Sequence, residues 1–278
     1  MREAIGKARV LLEALPYIQA FHDKVFVIKY GGSLLEDKNV RRSVLQDIVF
    51  MHYVGIKPVI VHGGGPSITK ALKQKGIEVE FVDGLRRTDK EILKVVEKEL
   101  LRLNRMIVKE LKEMNCPAEG LSPSTAIIKA RQVSPELGFV GSVIGVNANP
   151  IFSLLNRDII PVICPLGIDR KGQIYNVNAD TSASEISVSL GAEKLVLMTN
   201  VEGIIYRGKL LSSVSLRRIK VLIDKKVITG GMLPKVEAGL NALEKGVKKV
   251  HIVSAREPHA LLLEIFTKRG VGTEVKVD

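Results

Sequence analysis

Lys29 follows the apolar run Phe26-Val27-Ile28 and stands just ahead of Gly31 and Gly32. Its ammonium group can therefore share an anion with amides that no Cβ shields. His62-Gly63-Gly64-Gly65 repeats the arrangement after Pro58-Val59-Ile60-Val61. Pro66 behind it suits the first turn of a helix, whose free amides and positive dipole end would face the same anion. A third polar stretch, Asn176-Val177-Asn178-Ala179-Asp180, follows the apolar run at 159–164 and ends on an acid placed to begin a helix. Lys235 comes behind Thr229-Gly230-Gly231-Met232, in the first turn of a predicted helix, where the dipole disfavours a cation. Two fixed cations aimed by one carboxylate would meet the charge that spreads over a transferring phosphoryl group in its transition state. Lys29, Lys235 and Asp180 are the candidates for that role.

Arg86 and Arg87 adjoin in the glycine loop Asp83-Gly84-Leu85-Arg86-Arg87-Thr88. Either can grip a carboxylate through paired hydrogen bonds, and spacing alone does not choose between them. Thr88 is placed to cap the next helix. Gly203-Ile204-Ile205-Tyr206-Arg207-Gly208-Lys209 imitates a phosphate loop, but Leu210 stands where Ser or Thr is required and the interior is strand-like. The triple glycine also resembles an esterase oxyanion loop, yet the chain has no Gly-x-Ser-x-Gly nucleophile elbow. The histidines are scattered and no acid, His or Cys cluster has metal-ligand spacing, so no metal site is expected.

With 278 residues, 46% of them apolar, the chain can bury a large core. No apolar run reaches the length of a membrane span and the start lacks a secretory pattern, so a cytoplasmic protein is expected. The net charge of +12 is dispersed and aromatic residues make up 4%, which removes the stacking platforms of a nucleic-acid binder and suits anionic small molecules. Cys164 sits in an apolar run and Cys116 has no partner spacing; neither is assigned chemistry.

Short apolar runs at 25–28, 58–61, 159–164, 194–199 and 249–253 read as strands, and 38–54, 66–75, 89–113 and 235–245 as helices. Such alternation implies an α/β fold with an open, mostly parallel sheet covered by helices on both faces. Ligands then sit beyond the carboxyl ends of the strands, where the glycine stretches fall. Ile5, Ala8, Leu12 and Leu15 form an apolar stripe that Pro16 should kink or end. Residues 138–143 suggest a hairpin-bearing insertion, and a boundary between two lobes is expected near residue 175.

Together these stretches resemble the N-acetylglutamate kinases of the amino-acid kinase family, nearly end to end. Lys-x-Gly-Gly and His-Gly-Gly-Gly are shared widely in that family. Gly84-Leu85-Arg86-x-Thr88, Asn176–Asp180 and Gly231-Met232-x-x-Lys235 carry the narrower likeness. The resemblance implies ATP-dependent phosphorylation of the side-chain carboxylate of N-acetyl-L-glutamate, the second step of the acetylated route to arginine. It implies that Lys29 and Lys235 stabilise the transferring group while Asp180 orients them. Gly31, Gly32 and Gly63 would serve the phosphates, and Gly64, Gly65, Arg86 and Asn176 the acetylated substrate. Thr199, Asn200, Gly231 and Met232 would border the nucleotide, with Mg²⁺ arriving on the ATP.

The same resemblance divides the chain into an oligomerising N-terminal helix (1–20), an acetylglutamate lobe (21–175) and an ATP lobe (176–278), in a dimer or ring-shaped hexamer. It also suggests an arginine effector site at His251, Glu264 and Gly270, with Lys209 a weaker member. Ser33-Leu34-Leu35, Asp83 and Pro123 depart from the common pattern, which touches substrate affinity and loop shape more than reaction type. Two rivals remain in the sequence: a kinase for another acylated amino acid such as an aminoadipate derivative, and a sensor that kept the fold without catalysis.

Overall fold

The computed structural model describes residues 2–268 and 270–277; Met1 and Asp278, which open and close the predicted segments, and Arg269 lie outside the described residues. One eight-stranded sheet runs in the order Ser213–Ser215, Thr273–Lys276, Lys249–Ser254, Lys194–Thr199, Val25–Tyr30, Lys57–His62, Ile160–Ile163, Ala118–Leu121. The last six are mutually parallel. Thr273–Lys276 runs antiparallel to its neighbour, and Ser213–Ser215 shares its direction. All five predicted strands lie in this sheet, and the sheet is continuous across the expected lobe boundary because Val25–Tyr30 pairs with Lys194–Thr199.

Side chains of a strand alternate between faces, and both faces here are buried. Phe26, Ile28 and Tyr30 pack with the helices Lys38–Tyr53, Lys90–Glu113 and Ala260–Phe266. Val27 packs on the opposite side with Asn149–Leu155, Ala179–Ser189, Leu216–Asp224 and Leu233–Glu244. Lys29 has the parity of Val27, so its stem leaves the sheet on the side of the helices that carry Asp180 and Lys235.

The predicted helices appear within two residues of their expected ends, but two readings are corrected and one is narrowed. The N-terminal helix spans Arg2–Phe21, so of the two expectations for Pro16, a kink or an end, the end is excluded. Tyr17, Ile18 and Phe21 beyond the proline pack on the core, with Phe21 edge-on to Phe26 at 5.2 Å, and this packing holds the last turn. Asp89, not Thr88, caps the helix Lys90–Glu113 by accepting from the Ile92 amide at 2.8 Å. The run at 159–164 does not lead directly into Asn176, because the strand Leu166–Ile168 intervenes and Asn176 itself lies within the strand Ile174–Val177.

Those two strands join Ile128–Gln132 and Val140–Val146 in a small closed barrel, and the last two form the antiparallel pair expected around 138–143. So few strands can close because small residues meet in the middle. A Cβ on Gly141 would stand 2.6 Å from that of Tyr175, and one on Gly167 would collide with Ala130. Asn176 rises from this barrel.

Replacing Asp89 with Ala should cost about 1 kcal/mol of unfolding free energy, the usual worth of an N-cap, in denaturant titrations; an unchanged midpoint would contradict the capping role.

Candidate active site

Helix Ala179–Ser189 is capped by Asn178, whose Oδ1 accepts from the Asp180 and Thr181 amides at 2.8 and 3.1 Å. Asp180, relieved of capping, turns its carboxylate across to two lysines. Lys29 Nζ lies 2.9 Å from Oδ1 as an ion-pair contact off the hydrogen-bond axis, and Lys235 Nζ donates to Oδ2 at 2.9 Å. Lys235 is the third residue of helix Leu233–Glu244, so three separate elements meet at one carboxylate.

The side chains of Lys29 and Asp180 are only 7% and 8% exposed, so the pair is nearly cut off from water. Burial is the strongest influence on Asp180 and raises its pKa, but the charges of Lys29 and Lys235 together outweigh it and hold the carboxyl below its usual range. Burial also lowers the pKa of Lys29. The attraction of Asp180 opposes that fall, and the repulsion of Lys235 adds to it.

The two glycine loops touch backbone to backbone. A Cβ on Gly32 would stand 2.8 Å from the Gly64 nitrogen, and one on Gly63 would stand 2.9 Å from that of Gly32. The Gly63 amide donates to the Tyr30 carbonyl at 2.8 Å, tying the second loop to the first strand. Helix Gly65–Gln74 then begins one residue ahead of Pro66, which lies in its first turn as predicted, with its first amides at the cleft.

His62, fully buried, faces the Gly63 carbonyl through Nδ1 at 3.0 Å and the Asn104 amide through Nε2 at 3.4 Å. That pairing fits a neutral ring protonated on Nδ1, and burial takes its pKa down to about 4. Asn104 also donates to the Val162 carbonyl at 2.8 Å. The sequence reading passed over it, although it falls on the buried stripe of its helix with Leu100, Leu103, Ile107 and Leu111. A polar residue on an apolar stripe is the signal that could have found it.

Arg86 and Arg87 part company. Arg87 is paired with Glu80 at 2.9 Å on the surface. Arg86 is buried: Nη2 donates to Thr69 Oγ1 at 2.8 Å and to the Gly65 carbonyl at 3.2 Å, and the guanidinium lies 4.7 Å from the Phe81 ring centre. Its Nη1, also buried, has no hydrogen-bond partner among the described residues. A buried cationic donor left open beside a cleft is suited to an anionic guest.

Lys29, Asp180, Lys235, Arg86 and Asn176 all line one cleft of about 320 Å³, together with Gly31, Gly32, Gly63, Gly64, Gly65, Thr199, Asn200 and the divergent Ser33. Gly231 and Met232 lie outside that lining, on the turn Gly230–Met232 that leads into the Lys235 helix. The rejected phosphate-loop pattern falls on the antiparallel ribbon Ile205–Tyr206 and Lys209–Leu210.

The expected effector residues gather apart from Lys209. His251 Nδ1 lies 2.7 Å from Glu264 Oε1, and Glu264 Oε2 accepts from the Gly272 amide at 2.9 Å. A Cβ on Gly270 would collide with the same carboxylate. Lys194, which the sequence reading did not single out, contacts His251 Nε2 at 2.9 Å. Lys209 stands exposed on the ribbon, outside these contacts. Cys116 and Cys164 are buried free thiols, pushed up by burial to about 11 and about 12.

A mostly parallel sheet with two cations and a carboxylate converging beyond its strand ends defines a class, and the chain belongs to the amino-acid kinase family, whose model matches residues 24–254. Within that class, the whole chain is 48% identical to the full length of an acetylglutamate kinase from Aquifex aeolicus. It is 45% identical to another from Methanocaldococcus jannaschii, over 100% of this chain and 99% of that one. Among solved structures, N-acetylglutamate synthase from Neisseria gonorrhoeae, complexed with coenzyme A and N-acetyl-glutamate, shares the fold. The TM-score is 0.89 and the identity 24%, over 98% of this chain and 63% of that one.

The His62 ring resonances should stay those of a neutral imidazole from pH 8 down to about 5 in NMR titrations. The unfolded side chain titrates near 6.5, so it binds more protons than the folded one between pH 6.5 and 4. The stability contributed by neutral His62 is therefore complete above pH 6.5 and lost towards pH 4, by up to about 1.4 kcal/mol per pH unit. A ring midpoint near 6.5 would contradict this.

Proposed function

We propose that the chain transfers the γ-phosphoryl group of ATP to the side-chain carboxylate of N-acetyl-L-glutamate, giving N-acetyl-L-glutamyl 5-phosphate in the formation of arginine. The observation that carries this reading is the convergence of Lys29 and Lys235 on Asp180 beside the glycine loops. The full-length likeness to acetylglutamate kinases supports the choice of acceptor.

A glutamyl carboxylate, with a reference pKa of about 4.3, is ionised at neutral pH, so the nucleophile needs no general base. The difficulty is to bring two anions together. Lys29 and Lys235 neutralise the migrating phosphoryl group, and Asp180 holds both ammonium groups at fixed positions before the reactants arrive. Gly31, Gly32 and Gly63 present amides to the phosphates. Arg86, through its open Nη1, with Asn176, Gly64 and Gly65, holds the acetylated substrate. Thr199 and Asn200 border the nucleotide, and Gly231 and Met232 are assigned to it as well, on the turn that leads into the Lys235 helix.

In this reading residues 21–175 form the acetylglutamate side and 176–278 the ATP side of the shared sheet. Asp180 is the sole carboxylate among the described residues lining the cleft, and both its oxygens face lysines. The protein therefore offers Mg²⁺ no ready ligand set there, and the ion is assigned to the nucleotide. The helix Arg2–Phe21, with Val10, Leu11 and Leu12 about two-thirds exposed, is assigned to oligomerisation as a dimer or hexamer. The His251–Glu264 cluster is assigned to arginine inhibition, which a titration with millimolar arginine tests. No described helix is long and apolar enough to cross a membrane, and the proposed compartment is the cytoplasm.

Purified protein with ATP and N-acetyl-L-glutamate should form acyl phosphate, trapped as a hydroxamate. Glutamate, aspartate and acetylaminoadipate should be poor acceptors, and equal rates would sink the assignment. Lys235→Ala should lower kcat by about 100-fold or more while leaving the KM for ATP within a few-fold. Arg86→Ala should mainly raise the KM for the acetylated amino acid, by about 10-fold or more. The reverse pattern would mean that the two roles are exchanged.

A further inference from the structure

Thr88 is fully buried, does not line the cleft, and has every polar group committed. Its amide donates to the Leu137 carbonyl at 3.0 Å and its carbonyl accepts from the Phe139 amide at 2.6 Å. Its hydroxyl donates to the Arg86 carbonyl at 2.7 Å, and the same oxygen accepts from Asn176 Nδ2 at 3.2 Å. The backbone repeats the link, because the Phe139 carbonyl accepts from the Asn176 amide at 2.9 Å. Gly138 makes the approach possible, since a Cβ there would collide with the Thr88 carbonyl.

We propose that Thr88 is a positioning residue that sets the substrate-facing geometry of Arg86 and Asn176 together. The proposal rests on the acetylglutamate reading and goes beyond it in assigning a residue that does not touch the cleft. A hydroxyl has one proton, and here it goes to the Arg86 carbonyl, an acceptor with no proton of its own. The Thr88 oxygen can therefore only accept from Asn176, which requires the amide nitrogen and not its oxygen to face Thr88. That fixes the flip of the Asn176 side chain and turns its Oδ1 and second N–H away from Thr88. The same bond pins the backbone from which the Arg86 guanidinium reaches the cleft. One oxygen thus couples the short hairpin Phe81–Arg86 to the barrel strand Ile174–Val177.

Thr88→Val keeps the shape and removes both hydrogen bonds, and Thr88→Ser keeps the hydroxyl. For Thr88→Val the KM for N-acetyl-L-glutamate should rise about 10-fold, equivalent to about 1.4 kcal/mol, with the KM for ATP unchanged within two-fold. Thr88→Ser should stay within about three-fold of the parent for both. A general packing defect would move both KM values or fail to be rescued by serine, and either result overturns the proposal. Failure of the unmodified protein to phosphorylate N-acetyl-L-glutamate would instead sink the functional reading. Crystal structures of the parent and Thr88→Val then decide the positioning role alone, which is overturned if Asn176 and Arg86 do not move.

Discussion

Two ammonium groups held close together with little water around them repel strongly, because a low effective dielectric amplifies each unit of charge. The shared Asp180 carboxylate makes the arrangement tolerable, and the surrounding architecture serves to deliver these three groups. Strand parity sends Lys29 to one face of the sheet. The Asn178 cap frees Asp180 from serving its own helix. The helices that carry Asp180 and Lys235 are fastened to each other by Ser184, which donates to the Ala238 carbonyl at 2.7 Å and accepts from Asn241 at 2.9 Å. One positive charge is left over from the two lysines and the aspartate, and it makes the cleft attractive to an anion.

Around this charged centre the protein relies on neutral donors. Backbone amides of the glycine loops can come close to a phosphate without side-chain desolvation, and the buried ring beneath them is kept uncharged by its surroundings. A charge on His62 would be buried on the other face of the sheet from Lys29, with only the Gly63 carbonyl and Asn104 for partners. The charge needed for chemistry is confined to groups that share a counterion, and the open Arg86 donor is the exception that waits for a guest.

Much of this was legible from the residues. Apolar runs ending in Lys29 and in His62-Gly63-Gly64-Gly65 marked parallel strands with bare tips, because strands buried on both faces have little polar alternation to confuse them. The convergence of Lys29, Asp180 and Lys235 was readable as chemistry, since Lys235 is a cation where a helix start disfavours one and Lys29 adjoins bare glycine amides, so both call for an anion. The closed barrel was not legible: Leu166–Ile168 and Ile174–Val177 are short, and Gly141 and Gly167 read as turn formers when their use is to let strands meet. Thr88 was read as a helix cap because local sequence shows a hydroxyl before a helix, while its partners lie at residue 86 and at the distant residues 137, 139 and 176. Choosing Arg86 over Arg87 likewise depended on which of two neighbours finds Glu80.

The alternation that places Lys29 has a further bearing on how this chain can change over time. Within the strand Val25–Tyr30 every position ahead of Lys29 is counted, since losing or gaining one residue there would rotate the ammonium to the opposite side of the sheet, among Phe26, Ile28 and Tyr30. Loops such as the ribbon near Arg207 can vary in length freely by comparison. Tolerance to insertion and deletion should therefore be strongly uneven along the polypeptide, with a frame-sensitive stretch only a few residues long guarding the first lysine.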